Sequence, residues 1–117
     1  MAATPAFYQG YLKVAKSGDL ASLDLCIVGA DRTPASLREA YQKQHGIVLY
    51  EGYGATETSP VIAVNAPEAN RPGSVGKILQ GVDVKITNVE TSKPVKQGEK
   101  GKILVKGDLV MLSLIHI

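Results

Sequence analysis

Ile47-Val48-Leu49-Tyr50-Glu51-Gly52-Tyr53-Gly54-Ala55-Thr56-Glu57-Thr58-Ser59-Pro60 is where this chain changes character. Ile47 to Tyr50 is a short apolar run suited to a buried strand, and from Glu51 onward small and hydroxyl-bearing residues read as a loop. Upstream, Thr33-Pro34 opens a helix with Leu37, Ala40 and Tyr41 on its apolar face, and Gly46 after His45 ends it. Before that helix, Leu23 to Val28 is nearly all apolar and is closed by Gly29-Ala30-Asp31, the pattern of a buried strand entering a tight loop. Thr4-Pro5 starts an earlier amphipathic helix that carries Phe7, Tyr8, Tyr11, Leu12 and Ala15 to Lys16, with Gly18 as its C-terminal cap. Helix, strand, helix, strand in this order predicts an α/β fold with a parallel sheet and right-handed crossovers.

Downstream of the opening stretch, glycine and proline become frequent and helical periodicity disappears. Val82 to Thr87 alternates apolar and polar residues, and Lys102 to Lys106 reads as a second strand. Between them Asn88 to Lys100, with Pro94, Gly98 and several lysines, is a solvated connection rather than a phosphate-binding patch. This half is a β-meander or part of a barrel.

The 117 residues are 44% hydrophobic and 21% charged, with a mean hydropathy of +0.02. Those values fit a soluble globular domain and exclude disorder, collagen and coiled coil. Thirteen Lys and Arg against eleven Asp and Glu give +2 with no basic run, so the footprint of a nucleic-acid binder is missing. The lone Cys26 sits in an apolar run and reads as a small buried hydrophobe, without disulfide or metal role. No apolar stretch reaches the ~20 residues that span a bilayer, and the first residues do not open a signal peptide, so the expected location is the cytoplasm.

Chemistry concentrates after the strand at Tyr50. In open α/β sheets ligands bind outside the carboxyl ends of the strands, so the loops after Val28 and after Tyr50 would share one crevice. Gly52 and Gly54 let backbone approach a ligand, and Tyr53 between them offers an aromatic face to a base. Thr56 and Thr58 offer hydroxyls to phosphate oxygens. Glu57 supplies a hard oxygen of the kind Mg²⁺ prefers while it also holds phosphates. The set suits a nucleoside triphosphate, and a polar turn with an exposed tyrosine is the bland alternative.

Tyr53-Gly54-Ala55-Thr56-Glu57-Thr58 resembles the core motif of the adenylate-forming superfamily, which includes acyl-CoA synthetases, luciferases and peptide-synthetase adenylation domains. Gly29-Ala30-Asp31 resembles its adenine-contacting loop, and Arg71-Pro72-Gly73-Ser74-Val75-Gly76-Lys77 resembles the segment leading into its β-barrel. Gly101 to Gly107, followed by Val110-Met111, resembles its next motif, a barrel strand. The longer string Leu49 to Asn65 is similar to long-chain fatty acid activators, closest to the acyl-acyl-carrier-protein synthetase branch.

The resemblance implies a piece of the large N-terminal domain of such an enzyme, with residues 1–65 as its α/β part and residues 66–111 as the start of its β-barrel. It implies a reaction in which a fatty acid carboxylate attacks the α-phosphate of ATP, giving acyl adenylate and pyrophosphate, before a thiol of CoA or carrier-protein phosphopantetheine takes the acyl group. Position by position, Gly29 and Ala30 would line the adenine and acyl pocket with Asp31 beside them, Tyr53 would stack on adenine, Gly52 and Gly54 would give the acyl carboxylate and phosphate access to the loop, and Ala55 would belong to the same cofactor-binding set. Thr56 would bind phosphate, and Glu57 would hold Mg²⁺ near the reacting oxygens. Acyl carrier protein is the implied partner, and the parent enzyme is placed in the cytoplasm or peripherally on the inner membrane face.

The family's glycine-rich phosphate loop, its ribose-gripping aspartate and its adenylation lysine have no match here, and Lys77, Lys85 and Lys106 do not replace that lysine. His45 reads as a helix C-terminal residue favoured by the dipole. The expectation is therefore a chain inactive by itself. The family pattern continues with Gly-Tyr after Leu112, whereas this chain reads Ser113-Leu114-Ile115-His116-Ile117. Leu112 to Ile117 can be encoded by DNA resembling a transposon-library adaptor, so residues 112–117 are expected to be a non-native tail. The competing expectations are a stand-alone interaction module and a nucleotide-binding regulatory domain without catalysis.

Overall fold

The computed structural model describes residues 1–111. The chain enters as β1 (Ala2–Ala3), continues as α1 (Pro5–Val14), β2 (Cys26–Val28), α2 (Ala35–His45) and β3 (Leu49–Tyr53), and then turns to β-structure. Short strands β4 (Ala63–Val64) and β5 (Lys77–Ile78) complete a five-stranded sheet in the order β1-β2-β3-β4-β5. The first three strands are parallel, with Ala3 opposite Val28 and Val28 opposite Glu51. The last two run antiparallel, with Gly52 opposite Val64 and Ala63 opposite Ile78. A separate antiparallel pair, β6 (Asp83–Thr87) and β7 (Lys102–Lys106), sets Val84 against Val105 and Ile86 against Ile103.

Local chemistry accounts for most of the boundaries. Thr4 accepts the Phe7 amide at 3.5 Å and Pro5 occupies the first turn of α1. The helix stops at Val14, two residues short of the expected Lys16. Ala15 turns extended there, and Gly18 (φ +94°) belongs to the next turn rather than to the cap. Thr33 does not cap α2: its hydroxyl is buried with no partner among the described residues, and Pro34 takes the capping position. The stop at Gly46 is as expected. Its φ of +69° lets its amide reach the Gln42 carbonyl at 3.1 Å while the Ile47 amide reaches Tyr41 at 3.3 Å.

One face of the sheet is covered by both helices. Cys26, Val28 and Leu49 project to that face and pack with Tyr8 of α1 and with Leu37 and Tyr41 of α2. The Tyr8 and Tyr41 rings meet edge-on, 5.3 Å apart, and the Tyr41 hydroxyl donates to the Tyr8 carbonyl at 2.7 Å. The Tyr8 hydroxyl reaches the Ile27 carbonyl at 3.0 Å, which ties helix to sheet. Burial, reinforced by the nearby Cys26 thiol, pushes both phenols above their usual range. Cys26 is the small buried hydrophobe the sequence suggests. Among the described residues no helix is long and apolar enough to cross a membrane.

Candidate nucleotide-binding site

β3 runs three residues further than its apolar run suggests, so Glu51, Gly52 and Tyr53 are strand residues rather than loop. Pairing on both sides carries the strand through a glycine that propensity alone would read as a break. Gly29 follows β2 directly, and a Cβ there would lie 3.3 Å from the Gly52 carbonyl oxygen. Ala30 then adopts a left-handed conformation, φ +68°, uncommon for a residue with a side chain. The backbone therefore bends away from the sheet just where β2 ends.

A cavity of about 670 Å³ opens at these strand ends. Gly29, Ala30, Gly52, Tyr53, Gly54, Ala55 and Thr56 line it, which brings seven of the expected nucleotide-site residues around one space. A second cavity, about 370 Å³, lies against the same end of β3 and is bounded by Asp31, Tyr53 and the turn Gly73–Val75. Asp31 faces this second space, and Glu57 lines neither. Tyr53 is 39% exposed and borders both, so its ring is accessible for stacking. Sequence reasoning gave Phe7 and Tyr11 no role beyond their helical spacing in α1. They form an exposed stacked pair, ring centres 6.5 Å apart, along the larger cavity. The available signal was the width of α1's apolar surface, since Tyr8 and Leu12 alone supply its core stripe.

The loop after β3 is built by two residues with internal duties. Gly54 has no room for a side chain because a Cβ there would collide with the Pro60 carbonyl oxygen, so the close approach is made by the returning chain. Thr58 is buried, and its hydroxyl receives the Ala55 amide at 3.0 Å and donates to the Ala55 carbonyl at 2.8 Å. The expectation of a phosphate-binding hydroxyl at Thr58 is thereby corrected: that oxygen closes the one-turn 3-10 helix Thr56–Thr58. Thr56 and Glu57 are exposed on the same turn. The Glu57 carbonyl accepts the Met111 amide at 2.9 Å, linking the loop to the segment after β7.

No group of three or more His, Cys, Asp and Glu able to hold a metal occurs among the described residues. Glu57, the expected Mg²⁺ ligand, has no ion-pair partner among them. A single carboxylate facing solvent fits the habit of Mg²⁺, which takes one or two protein carboxylates and fills its remaining positions from phosphates and water.

Beside the smaller cavity, which Glu51 and Ser74 help to line, lies a polar network that sequence reasoning did not find. Glu51, on the helix-covered face of β3, pairs with Arg38 of α2 at 3.1 Å. It also accepts the Thr33 amide at 3.3 Å and the Gly73 amide at 3.1 Å. Asn65, 2% exposed, donates to the Glu51 and Ser74 carbonyls at 3.1 and 2.7 Å and accepts the Arg71 amide at 2.8 Å. Every polar atom of that side chain is used, as burial requires.

With this geometry in place, comparison with known proteins is informative. Residues 1–114 match the family described as AMP-binding enzyme. The chain is 37% identical over 94 residues to a long-chain-fatty-acid CoA ligase of Bacillus subtilis, covering 80% of this chain and 17% of that protein. It is 42% identical over 66 residues to a chloroplastic long-chain-fatty-acid acyl-carrier-protein ligase of Arabidopsis thaliana, covering 56% of this chain and 9% of that one. Among solved structures it superposes on the anthranilate CoA ligase AuaEII in complex with anthranoyl-AMP, with a TM-score of 0.84, 32% identity, and coverage of 96% of this chain and 22% of that chain. The chain thus spans about a fifth or less of the length of these relatives, and it belongs to the AMP-binding, adenylate-forming enzyme family.

Proposed function

We propose that this chain is the nucleotide-binding portion of an ATP-dependent fatty acid ligase, which joins its acid to the thiol of CoA or of acyl carrier protein through an acyl adenylate. The observation that carries the reading is the gathering of Gly29, Ala30 and Gly52–Thr56 around one cavity at the strand ends, with Glu57 exposed on the adjoining turn. Residues 1–65 would serve as the α/β part and residues 66–111 as the start of the barrel subdomain. The fatty acid assignment rests on likeness to the Bacillus and Arabidopsis ligases. The anthranilate ligase marks how wide the family's acid range is. The parent enzyme is placed in the cytoplasm or on the inner membrane face.

In this reading Tyr53, which borders both cavities, stacks on adenine in the smaller one, where Ala30 and Asp31 flank it, and Gly29 and Ala30 line the larger one that takes the acyl group. The Thr56 hydroxyl donates to a phosphate oxygen, and Glu57 holds Mg²⁺. The ion, when bound, neutralises charge on the phosphates as the acid carboxylate approaches the α-phosphorus. Phe7 and Tyr11 give the larger cavity an apolar wall facing the acyl side. Residues 112–117, read from the sequence as a non-native tail, lie outside the described residues.

A segment exchange tests the proposal. Residues 1–111 replace their counterpart in the Bacillus ligase, and acid-dependent pyrophosphate release is followed. The expected result is an active exchange enzyme in which Glu57→Gln lowers release by roughly 10²–10³-fold, the scale for losing one charge-stabilising group. Undiminished release from the folded Glu57→Gln enzyme would reject the role given to Glu57. Tight binding of ATP by the 117-residue chain alone would instead favour an autonomous nucleotide-binding module.

A further inference from the structure

The Glu51 carboxylate does something the nucleotide reading leaves unexplained. It stands in the middle of β3, its side chain 12% exposed, and holds three separate pieces of chain at once. Its Oε2 takes the Arg38 guanidinium and the Gly73 amide, both at 3.1 Å, and its Oε1 takes the Thr33 amide. Arg38 is itself oriented by the Thr33 carbonyl at 2.8 Å. Thr33 closely follows the Ala30–Asp31 bend, and Gly73 begins the wall Gly73–Val75 of the smaller cavity. One carboxylate therefore ties together the two edges between which that cavity lies.

We infer that Glu51 is a positioning residue: it sets the separation between the Ala30–Asp31 bend and the Gly73–Val75 turn, and so pre-forms the cleft beside Tyr53 in which the nucleotide is held. The inference rests on the nucleotide reading above. An exposed turn on glycine and serine would otherwise sample many conformations, and each nucleotide would have to order it on binding. Charge-assisted bonds from backbone amides to a largely buried carboxylate remove that cost in advance. Arg38 neutralises the carboxylate, which makes its burial tolerable. Asn65 holds the other end of the same turn through Arg71 and Ser74, so Glu51 is needed at one edge only. Glu51 touches no reacting atom in this scheme.

The segment-exchange ligase supplies the test, with KM for ATP and kcat for pyrophosphate release read separately. Glu51→Ala is expected to raise KM for ATP about tenfold while kcat changes less than about threefold, because ordering of the site rather than chemistry is lost. Glu51→Gln keeps an acceptor for Gly73 or Thr33 but loses the charge that Arg38 meets, and is expected to raise KM about threefold, an intermediate and still measurable loss. It also serves if Glu51→Ala fails to fold. Unchanged KM in either folded variant, beside an active unsubstituted exchange enzyme, would overturn the positioning role alone. An unsubstituted exchange enzyme that folds yet releases no pyrophosphate would bring down the nucleotide reading, and this inference with it.

Discussion

The helix-covered sheet and the β6–β7 hairpin are built from similar apolar residues and end in opposite conditions. In the first, Tyr8, Tyr41, Cys26, Val28, Leu37 and Leu49 are all but inaccessible to water. In the second, pairing places Val84, Ile86, Ile103 and Val105 on one face, yet Ile86 and Ile103 remain 45% and 43% exposed. The radius of gyration, 16.6 Å, exceeds the roughly 13 Å of a compact chain this long. Alternation specifies which face is apolar but not what covers it. Stability should therefore reside in the first region, site geometry in the polar network beside it, and little in the hairpin.

The largest effect is expected from Tyr41→Ala. It empties the centre of the core and removes the bond to the Tyr8 carbonyl, so a loss of about 3–5 kcal/mol is expected. Urea unfolding followed by far-ultraviolet circular dichroism reads it, and a loss below ~1 kcal/mol would mean that the tyrosine pair is not the centre of stability. Asn65→Ala comes next. It strands the Ser74 carbonyl and the Arg71 amide in a part-buried setting, for an expected cost of about 1–3 kcal/mol. Amide exchange should accelerate at Arg71 in this variant and remain slow in the Tyr8–Tyr41 core. Uniform acceleration would show that the polar network and the apolar core are one cooperative unit.

An alkaline titration separates the same regions by charge. Both buried phenols titrate above the ordinary value of 10.0 in the fold, because burial disfavours their ions. The neutral forms thus favour the native state fully below about pH 10, and that contribution declines as pH rises further, since the unfolded chain ionises first. The denaturation midpoint should accordingly hold steady up to about pH 9 and fall beyond about pH 10, less steeply in Tyr41→Phe. A midpoint that stays level past about pH 11 would show the phenols to be solvated.

What the sequence disclosed follows from the range of the forces involved. Thr4-Pro5 and Gly46 act on their own helix ends, and β7 spans Lys102–Lys106 as expected. Strands β1, β4 and β5 have two residues each and exist only because a neighbour pairs with them. Nothing periodic marks them. The end of β3 was hidden for the same reason, since Gly52 is a strand residue by pairing and not by propensity. At the site, the motif exposed the residues lining the cavity, but Thr58 looked like a ligand until its hydroxyl was found closing its own turn. Glu51 and Asn65 were illegible because their partners lie 6–22 residues away in sequence.

The smallest expected effect is the most exacting test of the contrast between the regions. Ile103→Thr keeps a β-branched side chain in β7, so strand preference is nearly unchanged. It removes apolar surface from a residue already 43% exposed and weakens the cross-strand pair with Ile86, a contact worth about 0.2–1 kcal/mol. The expected cost is at most about 0.5 kcal/mol, the range of surface substitutions, read as a shift in urea midpoint at constant slope. A cost above ~1.5 kcal/mol would need full burial of the isoleucine. That result would mean the apolar face of the hairpin is covered in solution, and the division between a buried region and an open one would fail.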